Sequence, residues 1–375
     1  MPERYMKRAL ELAALGTGYA SPNPLVGAVI VKDGVIIGEG YHQKYGMAHA
    51  EINAFHDADS RGNDIAEADL YVTLEPCSHY GKTPPCAEEV IRRKIKRVFI
   101  GMKDPNPLVA GHGILMLQKA GIEVSCGILE SECRRINEPF IKFITTKLPF
   151  VFMKSAMTLD GKIASYTGDS RWVSCPASRE LTHHYRNKYM AIMVGCSTVV
   201  IDNPELTCRL PGGRNPLRII VDSKAVCPED SKVFQTAEDK KTLLAVTKAA
   251  APDKIMRLRN AGVEVIVLSE DENGRVNLCE LMKKLGEMKI DSVLLEGGGT
   301  LNFSALKSGI VDRAAFFIAP KIIGGKDAKT PVEGDGMCLM SEAINLEQTE
   351  TTFVGNDLLI TGLVSNRKEA QCLPE

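Results

Sequence analysis

The chain has 375 residues, of which 44% are hydrophobic and 25% charged, with a formal net charge of −1, a composition of ordinary globular type that excludes extensive disorder. At about 150 residues per domain the length points to two or three domains, two being the simpler division. Basic residues are spread along the chain; the run Ile91-Arg92-Arg93-Lys94-Ile95-Lys96-Arg97 reads as a solvated helix end entering a strand, so the footprint of a nucleic-acid binder is missing.

Apolar residues from Tyr5 to Leu15 recur at helical spacing and stop at Gly16 and Gly18, which predicts a first helix. Pro22 and Pro24 bar its continuation. Leu25 to Val31, the pair Asp33-Gly34, and Val35 to Gly38 then read as a β-hairpin with a tight turn. A helix starting near Ala48, a strand Asp69 to Leu74, a helix after Pro84, a strand Arg97 to Gly101, a helix Gly113 to Ala120 and a strand Ile122 to Cys126 follow. This alternation predicts a sheet covered by helices, an α/β/α sandwich. The strand pattern lapses from about Glu130 to Leu148 and Pro149 follows, which divides the chain into domains 1–147 and 148–375. A second alternating series runs through Phe150 to Lys154, Ala191 to Val194, Leu217 to Val221, Thr242 to Val246, Val263 to Leu268, Asp291 to Leu295, Arg313 to Ala319 and a last strand near Asp357 to Leu363.

The first domain carries one histidine and two cysteines at metal-ligand spacing: His49-Ala50-Glu51, then Pro76-Cys77 and, after eight intervening residues, Cys86. One imidazole and two thiolates make three ligands with a fourth position open, the layout of a catalytic zinc; a closed structural site would need a fourth ligand, for which His79 is the nearby candidate. Both pieces fall at expected helix starts, where partial positive charge favours thiolate over thiol. Zinc lowers the pKa of water to about 7. Glu51 stands where a carboxylate would take the water proton, protonate a ring nitrogen and pass a proton to departing ammonia, as in a hydrolytic deaminase. Alone, a His-x-Glu is noise and two loop cysteines are more often inert; their order and placement carry the reading.

In the second domain, the strand Asp291 to Leu295 runs into Glu296-Gly297-Gly298-Gly299-Thr300-Leu301-Asn302, a glycine turn that opens a helix and lets backbone N–H groups approach a phosphate. It is not the dinucleotide fingerprint, because Asn302 stands where the third glycine would be.

The loop Pro76-Cys77-Ser78-His79-Tyr80-Gly81-Lys82-Thr83-Pro84-Pro85-Cys86 is longer than the two-residue spacing usual in nucleoside and transfer-RNA deaminases, and it resembles the deaminase half of the bifunctional deaminase/reductase family of riboflavin biosynthesis. Ser21-Pro22-Asn23-Pro24-Leu25-Val26-Gly27-Ala28-Val29, Tyr41-His42 and Asp104-Pro105-Asn106-Pro107 resemble it too. Lys154 to Ala164, Gly168 to Ser174, Gly195 to Pro204 and Leu206-Thr207-Cys208-Arg209 resemble the family's reductase half, so the likeness covers Tyr5 to about Leu363. It implies an α/β fold, with an N-terminal cytidine-deaminase-like α/β/α sandwich followed by a dihydrofolate-reductase-like α/β domain. It also implies zinc-dependent deamination of 2,5-diamino-6-(5-phosphoribosylamino)pyrimidin-4-one, then NADPH-dependent reduction of the ribose of 5-amino-6-(5-phosphoribosylamino)uracil to ribityl.

Carried onto this chain, the resemblance implies catalysis by Glu51, with zinc on His49, Cys77 and Cys86, and a pocket for the phosphorylated pyrimidine lined by Asn23, His42, His79, Lys82 and Asn106. It assigns NADPH to Ala156, Trp172, Thr198, Asp202 and the turn Gly298, Gly299, Thr300, Leu301, Asn302, Phe303 and Ser304, with Ser223 near the adenosine 2′-phosphate. Ser170, Arg186, Leu206, Arg209 and Glu296 would contact the reductase substrate, the arginines suiting its phosphate, and Lys154 would be a donor near the reacting ribose.

The expected partners are these small phosphorylated pyrimidines and further copies in a homo-oligomer, with no nucleic acid and no membrane. Eleven cysteines at irregular spacings argue for reduced thiols. No stretch approaches the roughly 18 apolar residues of a membrane span, and Met1 to Leu12 lacks the apolar core of a secretion signal, so a cytoplasmic protein is expected. The alternative, a nucleoside or nucleic-acid deaminase with a non-catalytic reductase-like domain, is disfavoured by the long cysteine loop and the lack of basic stripes.

Overall fold

A computed structural model describes residues 2–80, 84–106 and 109–365, and the chain divides into two compact units, Met1–Thr146 and Lys147–Glu375. In the first unit α1 (Pro2–Ala14) precedes the hairpin of β1 (Gly27–Lys32) and β2 (Val35–Tyr41). Then come α2 (Ala50–Ser60), β3 (Asp69–Leu74), α3 (Cys86–Arg92), β4 (Arg97–Met102), α4 (His112–Lys119), β5 (Glu123–Cys126), α5 (Glu130–Ile136) and α6 (Glu138–Thr146). The sheet order is β2-β1-β3-β4-β5; β1 is antiparallel to both neighbours, and β3, β4 and β5 run parallel. Asp33 and Gly34 both take positive φ, 53° and 78°, as a tight hairpin turn requires.

Small residues set how near the helices come. Ala50, Ala54 and Ala58 form a fully buried stripe on α2, and a Cβ at Gly40 of β2 would lie 2.3 Å from the Ala54 nitrogen. On the opposite face, a Cβ at Gly27 would lie 1.9 Å from the Ala9 carbonyl oxygen of α1. Helices therefore press on both faces of the sheet, the α/β/α sandwich the alternation predicts.

The second unit runs β6 (Phe150–Thr158), α7 (Pro176–Lys188), β7 (Ala191–Gly195), α8 (Cys196–Asp202), β8 (Leu217–Val221), α9 (Lys232–Gln235), β9 (Thr242–Val246), α10 (Pro252–Asn260) and β10 (Glu264–Val267). It continues with α11 (Leu278–Glu287), β11 (Ser292–Leu295), α12 (Gly299–Lys307), β12 (Arg313–Ala319), β13 (Leu346–Val354) and β14 (Asp357–Val364). The sheet order is β10-β9-β8-β7-β11-β6-β12-β14-β13, parallel from β10 to β12 and antiparallel at the β14 and β13 edge. Phe152, Ile192 and Leu294 join one apolar cluster, while Val151, Met153, Met193 and Leu295 join another. Adjacent residues thus serve opposite faces, both covered, as in parallel sheets generally. The chain leaves β6, runs outward from β7 to β10, and returns to insert β11 between β7 and β6. The carboxyl ends of these three strands meet where the strand order reverses, the place where open α/β sheets bind ligands.

Where the strand pattern lapses, between 130 and 148, the chain forms α5 and α6. Strand β13 has no signature in the sequence, because Glu347 to Phe353 is exposed on both faces and no alternation is imposed. Among the described residues no helix is long and apolar enough to cross a membrane.

Gly40→Ala is expected to force α2 outward and destabilise the first unit by about 2 kcal/mol, leaving the second unit's transition in place. Urea denaturation followed separately in the two units is the measurement, and an unchanged first transition would show that α2 has room to spare.

Candidate active sites

His49 is the N-cap of α2, with extended backbone at φ −72° and ψ 164°, and its side chain makes no capping bond. The imidazole instead faces two cysteines, its Nδ1 lying 3.5 Å from the Cys77 Sγ and 3.3 Å from the Cys86 Sγ. The three donor atoms lie within 4.8 Å of one another. Tetrahedral zinc, with Zn–S of about 2.3 Å and Zn–N of about 2.0 Å, sets its ligand atoms about 3.5 to 3.8 Å apart, so this soft donor set fits one zinc ion with a corner of the tetrahedron left over. His79 lines the adjoining cavity but stands outside the cluster.

Cys86 opens α3 and its backbone N–H donates to the Cys77 Sγ at 3.2 Å. The Cys77 thiol is held down at about 4, chiefly by the hydrogen bond from the Cys86 thiol and then by His49; sharing that proton, together with burial, pushes Cys86 up. A thiolate is thereby favoured at a helix start. Glu51, in the first turn of α2, is only 3% exposed. Burial, with Cys77 close by, pushes its carboxyl up to about 7, a value at which it both takes and gives protons near neutrality.

His49, Glu51 and Cys77 border a cavity of about 240 Å3 whose wall also carries Asn23, His42, His79 and Asn106. Lys82 lies outside the described residues. The His42 Nδ1 is 3.0 Å from the Ala48 carbonyl oxygen, to which only an N–H can donate, so its Nε2 accepts from the Asn23 Nδ2 at 3.1 Å. Burial lowers the His42 pKa and keeps the ring neutral.

In the second unit the candidate residues converge on the carboxyl ends of the parallel strands. Lys154 lies midway along β6 and Ala156 in its carboxyl half, Thr198 and Asp202 on α8 after β7, Ser223 after β8 and Glu296 after β11. Leu295 pairs with Met153, which brings Glu296 beside Lys154. Arg186 of α7 donates to both Glu296 oxygens at 2.8 and 2.9 Å and to the Thr207 carbonyl at 3.1 Å. Burial by itself would raise the Glu296 pKa; the Arg186 guanidinium overrides it and holds the carboxyl at about 2. Burial pulls Lys154 below the usual lysine value against the attraction of Glu296.

The glycine turn has two kinds of position. A Cβ at Gly297 would lie 2.6 Å from the Asn302 Oδ1 and one at Gly299 2.4 Å from the Glu333 side chain, whereas Gly298 faces open space, its nearest neighbour being the Thr198 Oγ1 at 4.0 Å. The outer glycines let the turn close, and the middle one leaves open space between α8 and α12. Asn302 and Phe303 are buried; the Asn302 Nδ2 donates to the Gly297 and Pro331 carbonyls, so this side chain shapes the turn from within. Thr300, Leu301 and Ser304 lie on the first turns of α12. Trp172 is exposed beneath the Arg179 guanidinium, 4.6 Å from its ring centre. The Ser223 Oγ accepts from the Val276 N–H at 3.0 Å. Leu206 is buried, Ser170 half-buried and Arg209 exposed.

Comparison with known proteins bears on both units. Residues 1–102 match the cytidine and deoxycytidylate deaminase zinc-binding region, and residues 149–360 match the RibD C-terminal domain. The riboflavin biosynthesis protein RibD of Actinobacillus pleuropneumoniae is 49% identical over 360 residues, covering 96% of this chain and 94% of that protein. The chain belongs to the RibD family. A solved Thermotoga maritima diaminohydroxyphosphoribosylaminopyrimidine deaminase/5-amino-6-(5-phosphoribosylamino)uracil reductase is 39% identical with a TM-score of 0.84, covering 97% of this chain and 98% of that one. Acinetobacter baumannii RibD gives a TM-score of 0.85 at 33% identity, covering 97% and 99%. The chain is thus a bifunctional enzyme of riboflavin biosynthesis, a deaminase of the zinc-binding type followed by a RibD reductase domain. A nucleoside or nucleic-acid deaminase with a non-catalytic reductase-like domain, the alternative in the sequence, gives way to this match over nearly the whole chain.

Sequence reasoning missed Glu75 and quoted Asp104 only within a matching segment; both line the same cavity as His49 and Cys77. A single carboxylate before Pro-Cys, or inside a Pro-rich turn, has no spacing that separates it from a loop residue.

Because the folded-state pKa of Glu296 is depressed, the stability its pairing contributes is present above the ordinary carboxylate value of 4.5 and is lost as pH falls towards about 2. Arg186→Met leaves that carboxylate without its guanidinium and is expected to destabilise the second unit by about 3 kcal/mol at neutral pH, with the acid limb removed. Unfolding free energy measured against pH in both proteins checks this.

Proposed function

We propose that residues 1–147 hydrolytically deaminate 2,5-diamino-6-(5-phosphoribosylamino)pyrimidin-4-one and that residues 148–375 reduce the ribose of 5-amino-6-(5-phosphoribosylamino)uracil with NADPH. The observation that carries the first half is the meeting of three soft donors and one buried carboxylate at one cavity. Zinc, when held by His49, Cys77 and Cys86, supplies the Lewis acidity that makes water nucleophilic near neutrality. Glu51 takes one proton from the attacking water and delivers it to the ring nitrogen, then takes the second proton from the added hydroxyl and gives it to the amino group, which leaves as ammonia as its C–N bond breaks and the carbonyl forms. One carboxylate serves each transfer because it is buried against the donors and shielded from bulk solvent. Asn23, its Nδ2 engaged by His42, presents its amide Oδ1 as an acceptor for the pyrimidine's N–H groups. His79 and Asn106 complete the wall among the described residues, and the family resemblance assigns Lys82 as the cation for the phosphate.

In the second half the nicotinamide cofactor supplies a hydride when bound. The opening at Gly298, the start of α12 through Ser304, and Thr198, Asp202, Ala156 and Trp172 would hold it, with Ser223 towards the adenosine 2′-phosphate. Ser170, Arg186, Leu206, Arg209 and Glu296 hold the substrate. Reduction at the ribose carbon that bears the amine opens that carbon's bond to the ring oxygen, and Lys154 would give the ring oxygen its proton. The Arg186–Glu296 pair keeps Glu296 ionised beside Lys154, so the ammonium has a counter-charge as it approaches the sugar.

Glu51→Gln is expected to retain one zinc per chain and to lower ammonia release by about 10³-fold; undiminished release would remove Glu51 from the chemistry. With the deaminated pyrimidine supplied directly, the chain is expected to consume NADPH at least about tenfold faster than NADH, a difference the 2′-phosphate contact would produce. No consumption of either would sink the reductase assignment, and equal rates would sink the contact at Ser223.

A further inference from the structure

We propose that Glu75 is a positioning residue of the deaminase, which holds the cavity-lining segment around Asn106 in register with the metal loop. The inference rests on the deaminase reading of the first unit. Glu75 follows β3 directly, two residues before Cys77, and is 4% exposed. Its Oε2 accepts the backbone N–H groups of Asp104 at 3.2 Å and Gly111 at 2.9 Å, and its Oε1 those of Gly113 at 2.9 Å and Ile114 at 3.2 Å. Four main-chain donors converge on one carboxylate, each a charge-assisted bond.

Those donors are not scattered. Gly113 and Ile114 belong to the first turn of α4, while Asp104 and Gly111 stand at the two ends of the segment that brings Asp104, Asn106 and Val109 to the cavity wall. Within the segment, Asp104 Oδ1 accepts the Asn106 N–H at 2.8 Å, and the Asn106 carbonyl accepts the N–H groups of Val109 and Ala110 at 3.0 and 2.9 Å. Asn106 is therefore tied to Asp104, Val109 and Ala110, and Asp104 and Gly111 on either side hang from Glu75. On the other side, the Glu75 N–H donates to the Met102 carbonyl at 3.0 Å, and a Cβ at Gly113 would lie 2.1 Å from the Pro76 carbonyl oxygen. The start of α4 thus abuts the residue preceding the metal ligand Cys77. With both oxygens occupied by amides, Glu75 acts on substrate through the segment it holds and not by contact.

Glutamine has the same shape but keeps one acceptor oxygen and turns an NH2 towards two N–H donors. In the full chain loaded with zinc, Glu75→Gln is expected to raise KM for the diaminopyrimidine about tenfold or more with kcat within about threefold. Zinc content and reduction of the deaminated pyrimidine are expected to be unchanged. Hydrogen exchange at the Gly111, Gly113 and Ile114 amides is expected to quicken at least about tenfold, while amides of β3 and β4 keep their rates. Glu75→Asp, which keeps the charge, is expected to raise KM only about threefold. Unchanged KM and unchanged local exchange in both variants would overturn the proposal. Zinc loss with faster exchange throughout the first unit would overturn it as well, by making Glu75 a general support of the fold; should Glu75→Gln not fold, the same readouts on Glu75→Asp decide. Ammonia release by the unsubstituted chain tests the deaminase reading separately, and local exchange tests Glu75 whichever way that falls.

Discussion

The distance between α2 and β2, set by Gly40 against the Ala54 backbone, decides where His49 and Glu51 stand. His49 gives up the usual capping bond so that its imidazole faces Cys77 and Cys86, and Glu51 follows in the first turn, buried at the same cavity. A helix held a fraction of an ångström further out would carry both groups away from the cysteines, which belong to the connection from β3 and the start of α3. Packing of small residues and placement of the donors are thus one constraint.

The same economy appears around the carboxyl ends of β3 and β4. Glu75 and Cys77 follow the first, Asp104 and Asn106 the second, and one buried carboxylate ties the two connections together through four amides. Orienting groups that carry no reaction of their own hold ligands and substrate-facing residues to tenths of an ångström, the accuracy that proximity effects demand.

The second unit reaches a comparable result by a different interaction. Arg186 and Glu296 are both largely buried, and a buried pair is a weak source of net stability because desolvation opposes the attraction. Its effect here is on geometry and charge: it keeps Glu296 ionised next to a lysine whose own charge is disfavoured by burial, and through the Thr207 carbonyl it anchors the loop that precedes Arg209. Gly298 supplies the complementary feature, an opening next to a helix start where backbone N–H groups can meet a phosphate.

Much was legible from local pattern. Short apolar runs alternating with helical segments marked the parallel strands, Asp33-Gly34 marked the hairpin, and the His-x-Glu and Pro-Cys pieces at helix starts marked the metal donors, because each depends on residues a few positions apart. The family resemblance added the substrates and cofactors that spacing alone could not name. What the sequence by itself determined, then, was the set of chemical groups and the kind of element each sits on. Only the tertiary structure decided that Glu75 takes four amides, that Arg186 meets Glu296 across 110 positions, that β11 returns between β7 and β6, and that β13 adds an edge with no buried face. These contacts join segments remote in sequence and depend on how sheet and helices pack, and packing leaves no period in the chain to read.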